Sequence, residues 1–594
     1  MTRVLGSKCK GKGGLTRITR AAGVIAAAVV VGAAFLAGCA RPADTTTTGT
    51  TTRPATTSAA TSAPPITTTS KPTTTAAPTT AKTAAPTGPS GELRLAVSSF
   101  GQEKFNPPAN SASSGYVVMA PVLDWMFWAE APGRVSPGIV EKWALAPNGL
   151  SYTYTVRKSV KFHNGQDLTA KDVKFSIEQY GGPKAPYSNT RDAIGTIDLV
   201  DDYTLRVNTK GLQQYLRAYQ GLSSPMQGAV MPKDYVEGKG WENYEAQPVG
   251  SGPFKYVRRV PGDMVEFEAM PSHWRQTSAF KKLSLVLIPE EATRIAAVKT
   301  GQTDLAEVNL DSVPALKSAG FQTAVVDQVS FESYLYGAYD PKNAKLPISD
   351  IKVRRALAIS INREEIKNSF FRGLGGPAMP AKATEATLDI DAPYWAKYFA
   401  DLYKYDPEEA KRLLKEAGYP ERFSTPAIKL YAHPIAGAPW LPQITEIIAG
   451  YWSKVGVRAE VTPVDYGVLV SWWATPLNPA LDGANSMMRT PTSSNILVRG
   501  LESTFGSKGR LHLLEDKVPE VDRLIAAINA ELDETKMRDL NAQAIKIIHD
   551  TYVAFQIGSA PSMVVIGPGL DVSGWTTPLP SPVLTHWVSS IKHK

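Results

Sequence analysis

The sequence predicts a multidomain α/β protein, and three features support this prediction. The chain has 594 residues, whereas one hydrophobic core rarely serves more than about 250–300 residues. Hydrophobic residues make up 43% of the chain, and its 12 tryptophans can fill sizeable cores. Segments with a strand-like period of two alternate with segments in which apolar residues recur at helical spacing.

The best-specified segment is Pro137–Tyr180, which predicts a strand, tight turns and a capped helix in that order. Its strand pattern covers residues 152–156, where Tyr and Val alternate with Thr. Asn-Gly pairs on both sides are typical of tight turns. Thr169 is the expected helix N-cap, and Asp172 follows three residues later, close to a capping box.

Other segments predict further elements of the protein body. Apolar patterns predict strands at 93–97, 283–288, 331–339 and 456–461. Helical spacing of apolar residues predicts helices at 407–417, 444–452, 521–532 and 537–548. The helix at 407 follows Asp406 as N-cap, has Pro at its first position and is followed by Gly418, so both of its ends are specified.

The net charge of +9 comes from the N-terminal 90 residues. That segment has ten Lys or Arg residues and one acidic residue, Asp44. Residues 91–594 have 54 basic and 54 acidic groups, so this part of the chain is electrically neutral. A neutral body does not offer the basic surface that nucleic acids require, so we expect no nucleic-acid partner.

Residues 1–38 have the design of a signal peptide. A basic region ends at Arg20, and an apolar run extends from Ala21 to Leu36. The run ends in Leu-Ala-Gly followed by Cys39, which resembles the lipobox of bacterial lipoproteins. This resemblance implies cleavage before Cys39 and lipidation of its thiol. The alternative is an uncleaved membrane helix, for which about 16 apolar residues are short.

Residues 39–90 are expected to be a lipidated cysteine followed by a disordered Thr/Pro/Ala tether. The tether has almost no large apolar side chains, so it cannot bury enough surface to offset its chain entropy. If extended, it would reach on the order of 100–150 Å. Cys9 leaves with the signal peptide, so no disulfide is expected in the mature chain.

The sequence has no recognisable catalytic or metal-binding motif. It lacks H-E-x-x-H, C-x-x-C and G-x-S-x-G. Its seven histidines are scattered singly, which is not the spacing of a dedicated metal site. We therefore expect a binding protein and not an enzyme, with no catalytic residue, no metal site and no cofactor.

Several motifs resemble those of one protein family. They are P-x-I-x-E-x-W from Pro137, K-F-H-x-G from Lys161, T-A-x-D-V from Thr169, P-V-G-S-G-P-F from Pro248 and the Y-D-P-to-A-G-Y helix from Tyr405. In this order they resemble the large extracytoplasmic solute-binding proteins of bacterial ABC importers (family 5). That family includes oligopeptide-, dipeptide- and nickel-binding proteins.

The resemblance implies an α/β, two-lobe periplasmic-binding-protein-like fold with an extra α+β subdomain inserted in the first lobe. The first lobe would comprise residues 91–135, 248–337 and 561–594. The inserted subdomain would comprise residues 136–247, and the second lobe residues 338–560. Ligand would bind between the lobes, which would close around it by hinge motion.

The resemblance also implies a function. The chain would be the membrane-tethered solute-binding subunit of an ABC importer, a monomer on the outer face of the bacterial cytoplasmic membrane. It would capture a peptide-like or other small polar solute and deliver it to the permease subunits. A ligand-sensing receptor of the same fold is the alternative, and a secreted hydrolase is a further one.

Six residues are expected to contact ligand: Tyr339, Tyr466, Trp473, Asn485, Met487 and Arg489. By resemblance, the aromatic strand that ends near Tyr339 crosses between the lobes. Tyr466 and Trp473 either stack on the ligand or pack on a helix.

The segment at 484–491 is the most informative about ligand class. In peptide-binding relatives it contains an Asp that holds the amino terminus of the peptide. Counted back from Pro491, that position is Met487 here, and the cation Arg489 lies nearby. This difference disfavours a zwitterionic peptide and favours an anionic, neutral or glycosidic ligand. A shift of register that makes Asp482 the anchor is the open alternative.

Overall fold

The computed structural model describes residues 88–110, 115–131, 134–186, 189–222, 227–387, 389–420, 423–473, 475, 478–491, 496–514, 516–576 and 588–594. The expected signal peptide, Cys39 and the tether up to residue 87 lie outside these residues. All described residues belong to one compact unit.

The strands of the described residues are, in chain order, β1 Glu92–Val97, β2 Phe127–Ala131, β3 Arg134–Pro137, β4 Val140–Leu145, β5 Ser151–Val156, β6 Ile194–Asp201, β7 Thr204–Thr209, β8 Phe254–Val260, β9 Met264–Ala269, β10 Lys282–Leu287, β11 Leu305–Val308, β12 Gln322–Leu335, β13 Phe423–Ala432, β14 Val457–Pro463, β15 Asn485–Thr490, β16 Ala554–Ile566, β17 Leu570–Asp571 and β18 Lys592–His593. Ten of them form one mixed sheet in the order β14-β13-β15-β12-β16-β11-β1-β10-β9-β8.

The helices of the described residues are α1 Tyr116–Met119, α2 Ala170–Tyr180, α3 Asn189–Ala193, α4 Leu216–Tyr219, α5 Lys233–Ala246, α6 Glu291–Lys299, α7 Val313–Ser318, α8 Ile351–Ile359, α9 Arg363–Glu365, α10 Ala392–Leu402, α11 Pro407–Glu416, α12 Leu441–Lys454, α13 Tyr466–Trp473, α14 Leu497–Phe505, α15 Pro519–Ala530, α16 Glu534–Asp550 and α17 Ser573–Thr576. The predicted mixed α/β architecture is confirmed. None of the helices in the described part of the chain is both long and apolar enough to cross a membrane.

Two long antiparallel strands, β12 and β16, connect the two ends of the large sheet. Residues 322–325 pair with 563–566 beside β11, and residues 327–334 pair with 554–562 beside β15. We call β1 and β8–β11 the first half of the sheet, and β13–β15 the second half. The register of β12 shifts after Val325, and such bulges bend a strand. The predicted lobe boundary after residue 337 falls just beyond β12, whereas the one after residue 560 falls in the middle of β16. Both boundaries stay predictions.

A separate four-stranded antiparallel sheet lies within residues 140–209, in the order β4-β5-β7-β6. Strand β5 alternates buried and half-buried residues, which confirms the period-two pattern. Helix α2 has the predicted capping box, in which the backbone N–H of Thr169 donates to Asp172 Oδ2 over 2.9 Å. Asp172 Oδ1 also accepts from the backbone N–H of Lys233 at 2.9 Å, so one carboxylate anchors the start of α2 and of α5.

Two buried histidines, His433 and His549, and the half-buried His163 make the stability of this fold depend on pH. Burial lowers the pKa of His163 and of His433 to about 4, and that of His549 to about 3. As pH falls below about 6.5, the unfolded chain takes up protons that the folded chain does not, so stability is lost towards pH 4. Asp389 acts in the opposite direction, because burial raises its pKa to about 6.

We expect the free energy of unfolding to be lower at pH 4.5 than at pH 7 by at least about 2 kcal/mol, since the histidines outweigh Asp389. Urea unfolding followed by tryptophan fluorescence measures this difference.

The imidazole of His549 accepts from the Ala381 N–H and bonds the Tyr403 hydroxyl at 2.6 Å. H549Q should therefore weaken the pH dependence, whereas H593Q at an exposed site should not. Equal or greater stability at pH 4.5 would contradict this account.

Candidate functional site

A cleft of about 580 Å³ lies where the carboxyl ends of the parallel strands β1 and β10 face the start of α13. One side is formed by residues 98–104 and Leu287, and the other by Pro434, residues 465–468 and Ser471. In open α/β sheets, ligands bind outside the carboxyl ends of the parallel strands. The volume suits a small solute. This cleft is therefore the candidate ligand site.

The two sides of the cleft come close together at Gly467, in the first turn of α13. A Cβ atom added at Gly467 would lie 2.7 Å from the carbonyl oxygen of Gly101. Asp465 caps the same turn by accepting from the Val468 N–H at 3.1 Å, which fixes the position of the helix start. The observed approach of the two sides therefore requires a glycine at position 467.

A buried carboxylate, Glu307 on β11, links the two halves. Its Oε2 accepts from the N–H and the hydroxyl of Ser98, at 2.8 and 2.7 Å. Its Oε1 accepts from the N–H of Gly437, at 2.5 Å. Gly437 lies in the 433–440 segment between β13 and α12, whereas Ser98 follows β1. We call this set of bonds the Glu307 bridge.

Further contacts hold the 433–440 segment against the crossing strands. Gly437 has a φ of 83°, a conformation that favours glycine, and its carbonyl accepts from the Ser562 hydroxyl of β16. Nearby, the amide of Asn309 donates to Gln443 Oε1 at 3.2 Å. The structure therefore has the two halves in contact across the cleft.

Two of the sequence-predicted ligand residues, Tyr466 and Arg489, lie beside this bridge, and a third, Trp473, packs against Tyr466. Tyr466 lines the cleft, stacks on His433 at 5.2 Å and meets Trp473 edge-on at 6.0 Å. Burial lowers the pKa of Arg489, while the charges of Asp327, Tyr466 and Glu307 act in the opposite direction. The Arg489 guanidinium therefore lies within electrostatic range of the crossing strand and the bridge.

Asn485 and Met487 lie on β15 at alternate positions with Arg489, so the three share one face of the strand. The Asn485 amide donates to the Ser333 hydroxyl at 2.6 Å and to the Tyr334 carbonyl at 2.7 Å. Met487 is fully buried opposite Ser333. Their roles as ligand contacts stay predictions, and their contacts in the structure are with β12.

Tyr339 lies apart from this group, beside the guanidinium of Arg354, which is 5.2 Å from its ring. Asp482, the alternative anchor for an amino group, forms an ion pair with Lys342 at 3.1 Å and accepts from Asn343 at 3.2 Å. The carboxylate of Asp482 is thus already paired with a cation of the protein itself.

The opposite face of β12 and β15 carries a polar cluster that sequence reasoning missed. We call it the Glu332 cluster, and its members are Glu332, Tyr334, Lys382, Thr490 and Gln556. Glu332 Oε1 lies 2.7 Å from the Lys382 ammonium and accepts from Thr490 at 3.1 Å and from Tyr334. The only sequence signal was one charged residue inside an aromatic strand pattern, at 331–336.

A second polar cluster, around Asp124, stabilises the fold and does not form a catalytic site. Asp124 Oδ2 accepts from the hydroxyl of Ser251 at 3.0 Å and from the indole of Trp274 at 2.8 Å, and lies 3.1 Å from His273 Nε2. Ser251 bonds the carboxylate and not the imidazole, so it is not activated as a nucleophile. These bonds explain the P-V-G-S-G-P-F motif as a turn anchored on Asp124. Within the described residues, no group of His, Cys, Asp and Glu has a metal-binding arrangement.

We expect G467A to prevent full closure of the cleft, because the new methyl group would collide with the Gly101 carbonyl. Ligand affinity should fall at least about tenfold, which corresponds to about 1.4 kcal/mol.

The matched control is G450A, on the exposed face of α12, where an added Cβ meets nothing within 4 Å. It should leave binding unchanged and stabilise the helix by roughly 0.5–1 kcal/mol. Calorimetric titration of both variants with a solute that the wild type binds tests this. Equal affinities would contradict it.

Comparison with known proteins identifies the family. Residues 134–494 match the model of bacterial extracellular solute-binding proteins, family 5 Middle. Heme-binding protein A of Haemophilus influenzae is 28% identical over 357 residues, which cover 56% of this chain and 62% of that protein, just under two thirds of its length. The dipeptide-binding protein of Escherichia coli is 26% identical over 467 residues, 73% of this chain and 81% of that protein.

Solved structures share the fold. The oligopeptide-binding protein AppA from Bacillus subtilis, in complex with a nonapeptide, has a TM-score of 0.71 at 18% identity, covering 85% of this chain and 99% of that chain. MoaA from A. tumefaciens R10, in complex with mannopinic acid, has a TM-score of 0.70 at 21% identity, covering 85% and 100%. Members of the matched family are solute-binding proteins and not enzymes. The chain belongs to the family 5 bacterial extracellular solute-binding proteins.

Proposed function

We propose that this chain is the membrane-tethered solute-binding subunit of an ABC importer and acts as a monomer. It captures a peptide-like or other small polar solute between the two halves of the large sheet and delivers it to the permease subunits. The observation that carries this proposal is the cleft, which both halves line and which the Glu307 bridge spans. An arrangement that links the two halves across the cleft suits capture by closure.

We infer a narrower class of ligand than the fold alone implies. The named ligands of similar proteins include dipeptides, heme, glutathione and mannopinic acid, so the family accommodates several chemistries. In the register counted back from Pro491, Met487 takes the position at which peptide-binding relatives have the carboxylate that holds an amino terminus, and in this structure the alternative anchor Asp482 is paired with Lys342. We propose that this chain favours an anionic, neutral or glycosidic solute. Tight binding of free-amine peptides in calorimetric titration would contradict that preference.

The N-terminal region supplies the proposed attachment. Residues 1–38 act as a signal peptide, Cys39 carries the lipid and residues 39–90 form the tether. A single lipidated residue with a Thr/Pro/Ala segment of this length would allow the binding unit to move above the membrane while staying near a permease.

Substitution of Cys39 by Ser should release the protein from the membrane. In the wild type, we expect the mature chain in the membrane fraction of the native cells, with a mass increase on Cys39 from the diacylglyceryl group. In C39S we expect it in the soluble or secreted fraction. Cell fractionation and mass spectrometry of the N-terminal peptide measure both. An unmodified Cys39 in the wild type would contradict the tether.

Deletion of the gene should abolish uptake of at least one small polar solute. Mass spectrometry of spent medium compares the solutes that wild-type and deletion strains deplete. We expect the wild-type gene to restore depletion, G450A to restore it fully and G467A to restore it poorly, since closure is required for delivery. Identical depletion by the wild-type and deletion strains would contradict an import role.

A further inference from the structure

We propose that the protein has a second small-molecule site, outside the cleft, which takes a carboxylate attached to a single aromatic ring. The site is a pocket of about 220 Å³ that is lined by the crossing strands β12 and β16 and by residues drawn from 362–405. We call it the Arg363 pocket. None of its lining residues also lines the cleft. The proposal goes beyond solute import and does not depend on it.

The first observation is that the inner part of the pocket is aromatic. Four rings line it, and each belongs to a residue that is at most 2% exposed: Phe331, Phe371, Phe399 and Tyr403. Phe331 meets Phe371 edge-on at 5.5 Å, and Phe399 stacks on Tyr403 at 5.5 Å. Such edges and faces favour contact with a further ring. An apolar cavity of about 150 Å³ accommodates benzene, so the volume of this pocket suits one ring with a short polar substituent.

The second observation is an arginine in the pocket lining that lacks a carboxylate partner. Arg363 Nε donates to the carbonyl of Gln556 at 2.7 Å. Its Nη1 donates at 2.9–3.2 Å to the carbonyls of Ala358, Ile361 and Tyr403. Nη2 is buried and has no hydrogen-bond partner among the described residues, and no carboxylate of these residues pairs with Arg363. Since buried polar groups normally have partners, Nη2 points to a missing acceptor.

The Arg363 guanidinium is held in position before a ligand enters. Besides the carbonyls, the ring of Tyr403 holds it, with 4.7 Å between the guanidinium carbon and the ring centre. Tyr403 is itself fixed by the bond of its hydroxyl to His549 at 2.6 Å. Burial lowers the pKa of Arg363 to about 10, so the positive charge persists at neutral pH in a poorly solvated place. A carboxylate would stabilise this charge, because it accepts charge-assisted bonds from a guanidinium.

The third observation is that the solvent-exposed rim of the pocket has an excess of positive charge. Lys367 and Lys404 line the pocket, and Glu364 is the one carboxylate among the lining residues. The Glu364 side chain is 75% exposed and lies 3.7 Å from the Lys367 ammonium. Lys404 is exposed and has no ion-pair partner among the described residues. Three cations therefore oppose one anion, which favours entry of a negatively charged group.

Two features of the backbone shape the pocket wall. Ile366–Phe370 is a π-helix, a rare conformation that occurs frequently at functional sites. Gly376 exchanges two backbone hydrogen bonds with Ser559, at 2.9 and 3.2 Å. An added Cβ at Gly376 would collide with the Ser559 hydroxyl and would lie 2.9 Å from Oε1 of Glu385, an exposed residue outside the lining. The wall therefore requires a glycine at position 376.

Saturation-transfer difference NMR of the full-length protein tests the proposal with phenylacetate, phenylacetamide and acetate. Phenylacetamide lacks the charge of phenylacetate, and acetate lacks its ring. We expect phenylacetate to bind at least tenfold more tightly than either of the other two, because ring and carboxylate are both recognised. No binding of phenylacetate, or affinity equal to that of phenylacetamide or acetate, would overturn the proposal.

The variant A400F tests the location of the bound probe. Ala400 lies at an exposed position of α10 and lines the pocket, so a phenylalanine there should obstruct it. Phenylacetate affinity should fall at least tenfold while the circular dichroism spectrum stays unchanged. K397F, on the same helix at a side chain that is 83% exposed and outside the lining, is the matched control and should bind as the wild type does. Equal affinities of A400F and K397F would overturn the location.

K404M tests the charge at the rim. It should weaken phenylacetate binding about threefold, as expected for an exposed cation, and leave phenylacetamide binding unchanged. Equal effects on both compounds would contradict a role of this charge.

G467A separates the pocket from the cleft. It should bind phenylacetate as tightly as the wild type, because Gly467 lines the cleft and not the pocket. Loss of phenylacetate binding in G467A but not in A400F would place the probe in the cleft and overturn the second site. Unchanged solute depletion in the deletion strain would instead remove the import function and leave the Arg363 pocket standing.

Discussion

The arrangement of the molecule depends on the hydrogen bonds of Glu307. This carboxylate is buried, and it accepts from Ser98 in the first half and from Gly437 in the second. Hydrogen bonds to a charged acceptor contribute about 1.5–3 kcal/mol each, and a buried carboxylate without them is strongly disfavoured. If the cleft opens as we propose, the bond to Gly437 is lost and Glu307 becomes accessible to water. A cost of this size would allow the two halves to separate and close again, as capture and release require.

The two faces of β12 and β15 have different physical characters. Arg489 and Met487 share a face with contacts to the crossing strands and to the Glu307 bridge. The Glu332 cluster, on the other face, has a buried ion pair with unused hydrogen-bonding capacity. Position in the sheet, and not residue type alone, therefore places Arg489 beside the link between the halves and Lys382 in a buried pair with Glu332.

Local elements were predictable from the sequence because their determinants are adjacent in the chain. The capping box at Thr169, the helix that follows Asp406 and the strand at 152–156 all depend on neighbours within a few residues. Contacts across the cleft were not predictable, since Glu307 and Gly437 are 130 residues apart. The Glu332–Lys382 pair was missed for the same reason. Pairing of Asn485 with Ser333 likewise depends on a strand register that no local pattern specifies.

The most direct test of this account is hydrogen exchange at the backbone amides of the 433–440 segment, measured by mass spectrometry. The exchange is compared with and without the low-molecular-weight fraction of yeast extract, which serves as a mixed source of solutes. The amide of Gly437 bonds Glu307 when the halves meet. We therefore expect slower exchange in 433–440 when solute is present, with exchange in α16 unchanged. Identical exchange in 433–440 under both conditions would contradict closure of the two halves around a solute.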